Sequence, residues 1–326
     1  MSYIVFFFFS SLLLIFFFYN SKKISQKTFL YKKLLDDTPL TGGPGIYLYF
    51  ILGSIYFYII NGNLGSENIY LIVLISLIFI IGLLDDIFNI NYKIRLVSLF
   101  LIIFIFLKFD ERFIVNELYF ETINQTYLLG GLSLFITPIF IMLLLNSINM
   151  ADGINGNSGF IFLSYFFLLF ENNDLFNNYF IFFIIPLVIF LYFNLTNKIY
   201  LGDSGVYLIS IIVSLFVIYK YKYGLSYLSC EKIFLIFMIP GIDMFRLFCF
   251  RIYNKINPFE GDLNHLHHLL IKRFSNINSL IIYSSLILWP NLILYFFSIN
   301  KNILIILNLL IYFYIIMKLK KLKKFS

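Results

Sequence analysis

Apolar residues run along this chain in eleven blocks, roughly 3–20, 44–61, 68–84, 93–108, 131–148, 157–170, 179–194, 204–221, 232–250, 279–297 and 302–317. Most approach the length a helix needs to cross a hydrocarbon layer of ~30 Å. Polar residues gather between the blocks, the longest polar stretches being Asn20–Gly43, Lys108–Leu129 and Arg251–Asn278. Neither a soluble domain nor an internal repeat stands out. The pattern predicts an all-α, polytopic membrane protein of about eleven transmembrane helices, forming a single membrane domain over residues 1–326.

Composition supports this. Hydrophobic residues make up 61% of the chain and charged residues only 13%, against about 25% charged in ordinary soluble domains. So few charges cannot cover the surface of a soluble enzyme of this size. The two cysteines, Cys230 and Cys249, offer no disulfide framework. The formal net charge of +7 reads as membrane topology, not as a nucleic-acid surface. The first apolar block has no basic residue before it and no small-residue cleavage site after it, so it reads as an uncleaved span. With the N-terminus outside and the C-terminus cytoplasmic, 18 of the 24 lysines and arginines fall on inside segments. The Lys-rich tail then lies at the anionic inner leaflet.

On that topology the chemistry-bearing residues collect on one face. Asp85 and Asp86 end the third block; two carboxylates there suit a hard cation such as Mg²⁺, or proton abstraction from an acidic nucleophile. Asn146, Asn149 and Asp152 recur at a spacing of three before Gly153 and Gly156, on one side of a helix end. Asp203 stands between Gly202 and Ser204-Gly205 at the start of the eighth block. There it can act as an N-cap or hold a cation at a phosphate-binding helix terminus. Lys198 lies five residues earlier, within reach of a phosphate. Asp243 and Arg246 share a helix face, either as an ion pair or as ligand contacts. All three histidines, His265, His267 and His268, fall within four residues. No zinc-ligand spacing accompanies them, and a cluster of donors around a phosphate or sugar, with Asp262, is the alternative.

In order, six segments resemble the polyprenyl-phosphate N-acetylhexosamine-1-phosphate transferases, the undecaprenyl-phosphate GlcNAc-1-phosphate branch of glycosyltransferase family 4. They are Thr38-Pro-Leu-Thr-Gly-Gly43, Gly82-Leu-Leu-Asp-Asp86, Asn146 to Gly156, Asn194 to Gly205, Asp243-x-x-Arg246 and Pro258 to His268. The resemblance implies a bacterial inner-membrane enzyme. It would transfer an N-acetylamino-sugar 1-phosphate from a UDP-N-acetylhexosamine to undecaprenyl phosphate, with Mg²⁺ or Mn²⁺, releasing UMP at the start of cell-surface polysaccharide synthesis. It implies a cytoplasmic catalytic face built from residues 36–45, 85–95, 146–158, 194–205 and 243–273.

By the same resemblance Asp203 and Asp86 hold the metal, and Asp85, Asp86 and Asp203 are catalytic. Asn149, Asp152, Lys198, Arg246, His265, His267 and His268 bind substrate. Leu263 stands where the family has arginine, and Thr196-Asn197 where it has Pro-Ala, which bears on the choice of sugar. The family also allows a homodimer. Two other classes compete: a secondary transporter, and a scaffold homologue without activity. The transporter reading is weakened because the charges crowd one face instead of the midplane of repeated halves.

Overall fold

The computed structural model describes residues 2–26, 38–62, 65–170, 177–224, 228–258 and 262–321. Its helices are α1 (Ser2–Tyr19), α2 (Ser21–Gln26), α3 (Gly42–Asn61), α4 (Gly65–Phe88), α5 (Tyr92–Phe109), α6 (Ser133–Ala151), α7 (Asn157–Leu169), α8 (Asn177–Leu195), α9 (Gly202–Tyr223), α10 (Cys230–Tyr253), α11 (Leu266–Ile271), α12 (Asn276–Phe296) and α13 (Lys301–Lys321). Each of the eleven apolar blocks falls on a helix, and the two helices outside them, α2 and α11, are single short turns. Among the described residues, seven helices are long and apolar enough to cross a membrane: α3, α4, α6, α9, α10, α12 and α13. The apolar runs in α1, α7 and α8 are shorter, and α5 carries Lys93, Arg95 and Lys108.

Backbone contacts divide the chain into two compact units. The first comprises residues 1–114, 137–145 and 170–215, the second residues 115–136, 146–169 and 216–326. In the first, α1, α3 and α8 pack together and α4 pairs with α5. Aromatic rings set that packing: Phe18 lies 5.6 Å from Phe193, and Tyr47 stacks on Phe79 at 4.0 Å. The Tyr47 hydroxyl also donates to Ser76 Oγ at 2.9 Å, which keeps a polar group satisfied among apolar neighbours.

In the second unit α12 packs on α7, α10, α11 and α13. A hairpin of β1 (Glu117–Phe120) and β2 (Gln125–Leu128) joins it, in antiparallel register from Glu117↔Leu128 to Phe120↔Gln125. Among the described residues, this hairpin is the one departure from the all-α reading, in which its residues formed a polar connection. Two strands of four residues are too short to show a clear period of two, and an isolated hairpin is marginal. Distant side chains hold this one. Glu231, at the start of α10, accepts from the N–H groups of Glu121 and Thr122 at 3.2 and 3.0 Å and from the Thr122 hydroxyl at 2.6 Å. The Tyr221 hydroxyl accepts from the Tyr119 N–H at 2.6 Å.

Helix α9 is buried at every position from Ser204 to Ile218. A helix that is apolar all round belongs inside a bundle. Its first turn therefore has a rigid base, and that turn carries Asp203.

Candidate active site

In the first unit, three helix ends bring three carboxylates together. Helix α4 ends just after Asp85 and Asp86, and Asn89 turns the chain through the left-handed region at φ 49°. Asn91 then caps α5 by accepting from the Lys93 N–H at 3.0 Å. This tight reversal returns Arg95 to the end of α4, where its guanidinium meets Asp85 at 2.5 Å and lies 3.9 Å from Asp203.

Asp86 has a different partner. Its two oxygens accept from the backbone N–H groups of Asp203 and Ser204 at 2.8 and 3.0 Å. Those donors belong to the first turn of α9, where no intrahelical acceptor exists. Asp86 thus caps α9 from another helix, and its charge opposes the positive end of the helix dipole. Gly202 makes the approach possible. Its φ is +75°, and a Cβ there would stand 2.6 Å from Asp86 Oδ2.

Asp203 is therefore not the cap of its own helix. Its side chain remains 34% exposed and is the outward member of the group. Among the described residues, no three His, Cys, Asp or Glu side chains form a ready-made metal cage. Mg²⁺ keeps several waters and takes one or two carboxylates plus substrate phosphates. Asp203, Asp86 and Asp85 all have oxygen chemistry that suits such an ion; Asp86 also accepts from two backbone N–H groups, and Asp85 meets Arg95.

The Thr38–Gly43 segment supports this arrangement without entering it. Gly42 and Gly43 donate to the carbonyls of Tyr200 and Leu201, and Tyr200 donates to that of Pro39, each at 2.9 Å. The loop before α9 is thereby tied to the start of α3, and residues 36 and 37 of the predicted face lie outside the described residues. Asn194, at the end of α8, donates to the Ile199 carbonyl of the same loop at 2.8 Å. Lys198 is exposed, with its ammonium 5.6 Å from the Phe193 ring. No described hydrogen bond or ion pair joins it to the carboxylates.

The second unit holds the remaining predicted residues. Asn149 and Asp152 end α6 half-buried, and Asn157 donates to the Ala151 carbonyl at 2.7 Å to fix the turn that follows. Gly153 sits against the histidines: a Cβ there would lie 2.1 Å from His267 Nε2 and 2.8 Å from His268 Nε2. Asp243 and Arg246 do pair, at 2.8 Å. Arg246 also reaches the Tyr312 hydroxyl and the Asn264 carbonyl, both at 2.8 Å. Asp243 accepts from His265 Nδ1 at 2.8 Å and from the Leu266 N–H, so it also caps α11. Arg251 holds the preceding loop, donating to Asp262 at 2.9 Å and to the Pro258 carbonyl at 2.8 Å. Residues 259–261 of that motif lie outside the described residues. Leu263 is exposed.

The histidines are not equivalent. His265 and His267 stack with centroids 5.6 Å apart, and His267 lies 4.1 Å from His268. His267 is 0% exposed, and neither ring nitrogen has a hydrogen-bond partner among the described residues. Burial first, then the neighbouring His268 and His265, push its pKa down to about 3. Burial would raise the Asp262 carboxyl, but the Asn264 N–H and the Arg251 guanidinium outweigh it and hold Asp262 below its usual range.

His267 therefore makes stability depend on pH. An unfolded histidine titrates near 6.5, so below that value the unfolded chain binds the extra proton. Stability should fall as pH drops from about 6.5 towards the folded pKa, by up to ~1.4 kcal/mol per pH unit from this group. Melting temperatures in detergent at a series of pH values should show the fall. A His267→Gln protein should show a shallower one, and equal slopes would contradict the assignment.

Arg95 and Tyr312 were not singled out as site residues by sequence. Arg95 is only the last residue of the 85–95 segment, and Tyr312 is one of 25 tyrosines, inside the last apolar block. The four-residue spacing of the buried Leu304, Asn308, Tyr312 and Ile316 was the available signal that Tyr312 faces inward.

Helix-end carboxylates, a capped α9 and a histidine loop set by Asp243 are the geometry beside which similar proteins can be set. Residues 68–221, just under half of the chain, match the model of glycosyl transferase family 4. Among similar proteins are two undecaprenyl-phosphate alpha-N-acetylglucosaminyl 1-phosphate transferases. The one from Escherichia coli strain K12 is 27% identical over 247 residues, covering 72% of this chain and 65% of the relative. The one from Thermotoga maritima is 27% identical over 221 residues, covering 66% of each. The match to this chain thus spans about two thirds of the length of these curated relatives.

Proposed function

We propose that this protein is a membrane enzyme that transfers a sugar 1-phosphate from a UDP-N-acetylamino sugar to a polyprenyl phosphate, releasing UMP. The observation that carries the reading is the grouping of Asp85, Asp203 and Arg95 around an α9 terminus fixed by Asp86. Phosphoryl transfer needs mainly positioning and neutralisation of charge. Asp203, with a carboxylate of the Asp85–Asp86 pair, would hold a Mg²⁺, and the ion would supply that neutralisation at the diphosphate.

The protein's own groups do the rest. Asp86 keeps Asp203 pointing outward by holding the backbone on either side of it. Arg95 places a positive charge between Asp85 and Asp203, available to a phosphate as well as to the carboxylates. Asp85 is suited to orient the attacking lipid phosphate. In the second unit, His265 and His268 serve the sugar nucleotide, with Asn149 and Asp152 at the neighbouring helix end. The buried His267 supports the loop from beneath.

In this reading about eleven helices cross the bacterial inner membrane with the N-terminus outside, and these residues lie at the cytoplasmic side. Undecaprenyl phosphate is the acceptor and UDP-GlcNAc the first donor to try, in line with the names of the relatives. The exposed Leu263 in the histidine loop also makes deoxy-amino sugars worth including.

Purified protein should release UMP when given undecaprenyl phosphate, Mg²⁺ and one of a panel of UDP-amino sugars. Release should stop when either the lipid or the cation is omitted. Release that persists without lipid would mark a hydrolase and contradict the reading.

A further inference from the structure

Tyr312 lies on α13, remote in sequence from every motif discussed above. It is 0% exposed. Its hydroxyl donates to Asp243 Oδ1 at 2.6 Å and accepts from Arg246 Nε at 2.8 Å. One donor and one acceptor are what a phenol offers in the line of such a pair. Asp243 Oδ1 also receives Arg246 Nη2 at 2.8 Å, which leaves Oδ2 for His265 Nδ1 at 2.8 Å. Since a carboxylate only accepts, His265 donates from Nδ1 and keeps Nε2 for whatever approaches the loop.

The hydroxyl thus closes a four-member network in which each partner fixes the next. Arg246 ties the same network to the loop through the Asn264 carbonyl at 2.8 Å. Asp243 ties it to α11 through the Leu266 N–H at 3.1 Å. Such networks hold a side chain more narrowly than any single bond does.

We propose that Tyr312 is a positioning residue for His265, so that the last helix sets the tautomer and direction of the imidazole in the histidine loop. Only the activity arm of the test rests on the sugar-nucleotide role given to that loop above; the spectroscopic arm does not. Tyr312→Phe keeps the ring and removes the hydroxyl. A control on the same helix face is Asn308→Ala. Asn308 accepts from Trp289 and donates to the Leu286 carbonyl, so its loss loosens the packing of α13 without touching Asp243.

Histidine ring-nitrogen NMR on the full-length protein in detergent, with His265 assigned by a His265→Gln variant, reads the tautomer directly. Tyr312→Phe should shift the His265 signals towards mixed tautomers, while Asn308→Ala should lower the melting temperature and leave them unchanged. In the UMP assay, Tyr312→Phe should lower kcat/KM for the sugar nucleotide about tenfold, the effect of a lost hydrogen bond of ~1.4 kcal/mol. KM for the lipid phosphate should stay the same. In a His265→Ala background the Tyr312→Phe loss should largely vanish, because the two residues act as a unit. Wild-type His265 signals in Tyr312→Phe would overturn the proposal, as would the same signal change in Asn308→Ala. Full additivity with His265→Ala would overturn it as well. A wild-type protein that turns over no sugar nucleotide would count against the proposed function alone, because the NMR comparison still decides the role of Tyr312.

Discussion

Asp86→Asn should both destabilise the protein and cut its turnover by about a hundredfold. The carboxylate is buried, and each oxygen accepts one backbone N–H from the first turn of α9. An amide has one oxygen, so one of the two donors would face an NH₂ group. A buried donor left without a partner costs about 1–3 kcal/mol, and the negative charge opposing the helix dipole is lost besides. The N-terminus of α9 would then move or fray, carrying Asp203 with it, and a displacement of ~1 Å in a reacting group can cost about a hundredfold in rate. The melting temperature in detergent and kcat for UMP release should therefore fall together. A variant that loses turnover at an unchanged melting temperature would show that Asp86 acts in the chemistry rather than as a cap.

Asp203→Asn should cut turnover without destabilising the protein. Its side chain is partly exposed, and its link to Asp86 runs through the backbone N–H, which asparagine keeps. The fold and melting temperature should hold. Turnover should drop by about two to three orders of magnitude, the usual cost of removing one preorganised group that stabilises transition-state charge. Residual activity should need a higher Mg²⁺ concentration for half its maximum. Near-normal turnover at ordinary Mg²⁺ would remove Asp203 from the cation site. The pair of variants separates two adjacent roles: one aspartate holds the helix end, and the other works from it.

Much of this was legible in the chain, for definite reasons. Apolar blocks betray helices because every backbone group in hydrocarbon must bond within its own segment. Polar residues at block ends stand out for the same cause, so Asp85, Asp86, Asp203 and the histidine loop could be marked from sequence. What sequence could not show was the division of labour among them. Asp85 and Asp86 are neighbours, yet one meets Arg95 and the other caps α9. That difference depends on the reversal at Asn89 and on the close approach permitted by Gly202.

The three histidines likewise look alike in sequence and divide in space. His265 has a carboxylate partner, and His267 is sealed over Gly153. The partners that lie far along the chain were hardest to see. Glu231 holds a hairpin more than a hundred residues away, and Tyr312 reaches Asp243 across 69 positions. Neither sits in a motif, and each is visible only once packing has brought it to its partner.

The central claim is that a sugar and its phosphate move together from nucleotide to lipid. The direct test is a donor labelled on its β-phosphate, incubated with purified protein, undecaprenyl phosphate and Mg²⁺, followed by separation of lipid from water-soluble products. The account predicts that the label appears in the lipid fraction as a diphospho-sugar, matched mole for mole by unlabelled UMP. Label that stays in the aqueous phase as UDP, with sugar alone on the lipid, would contradict it.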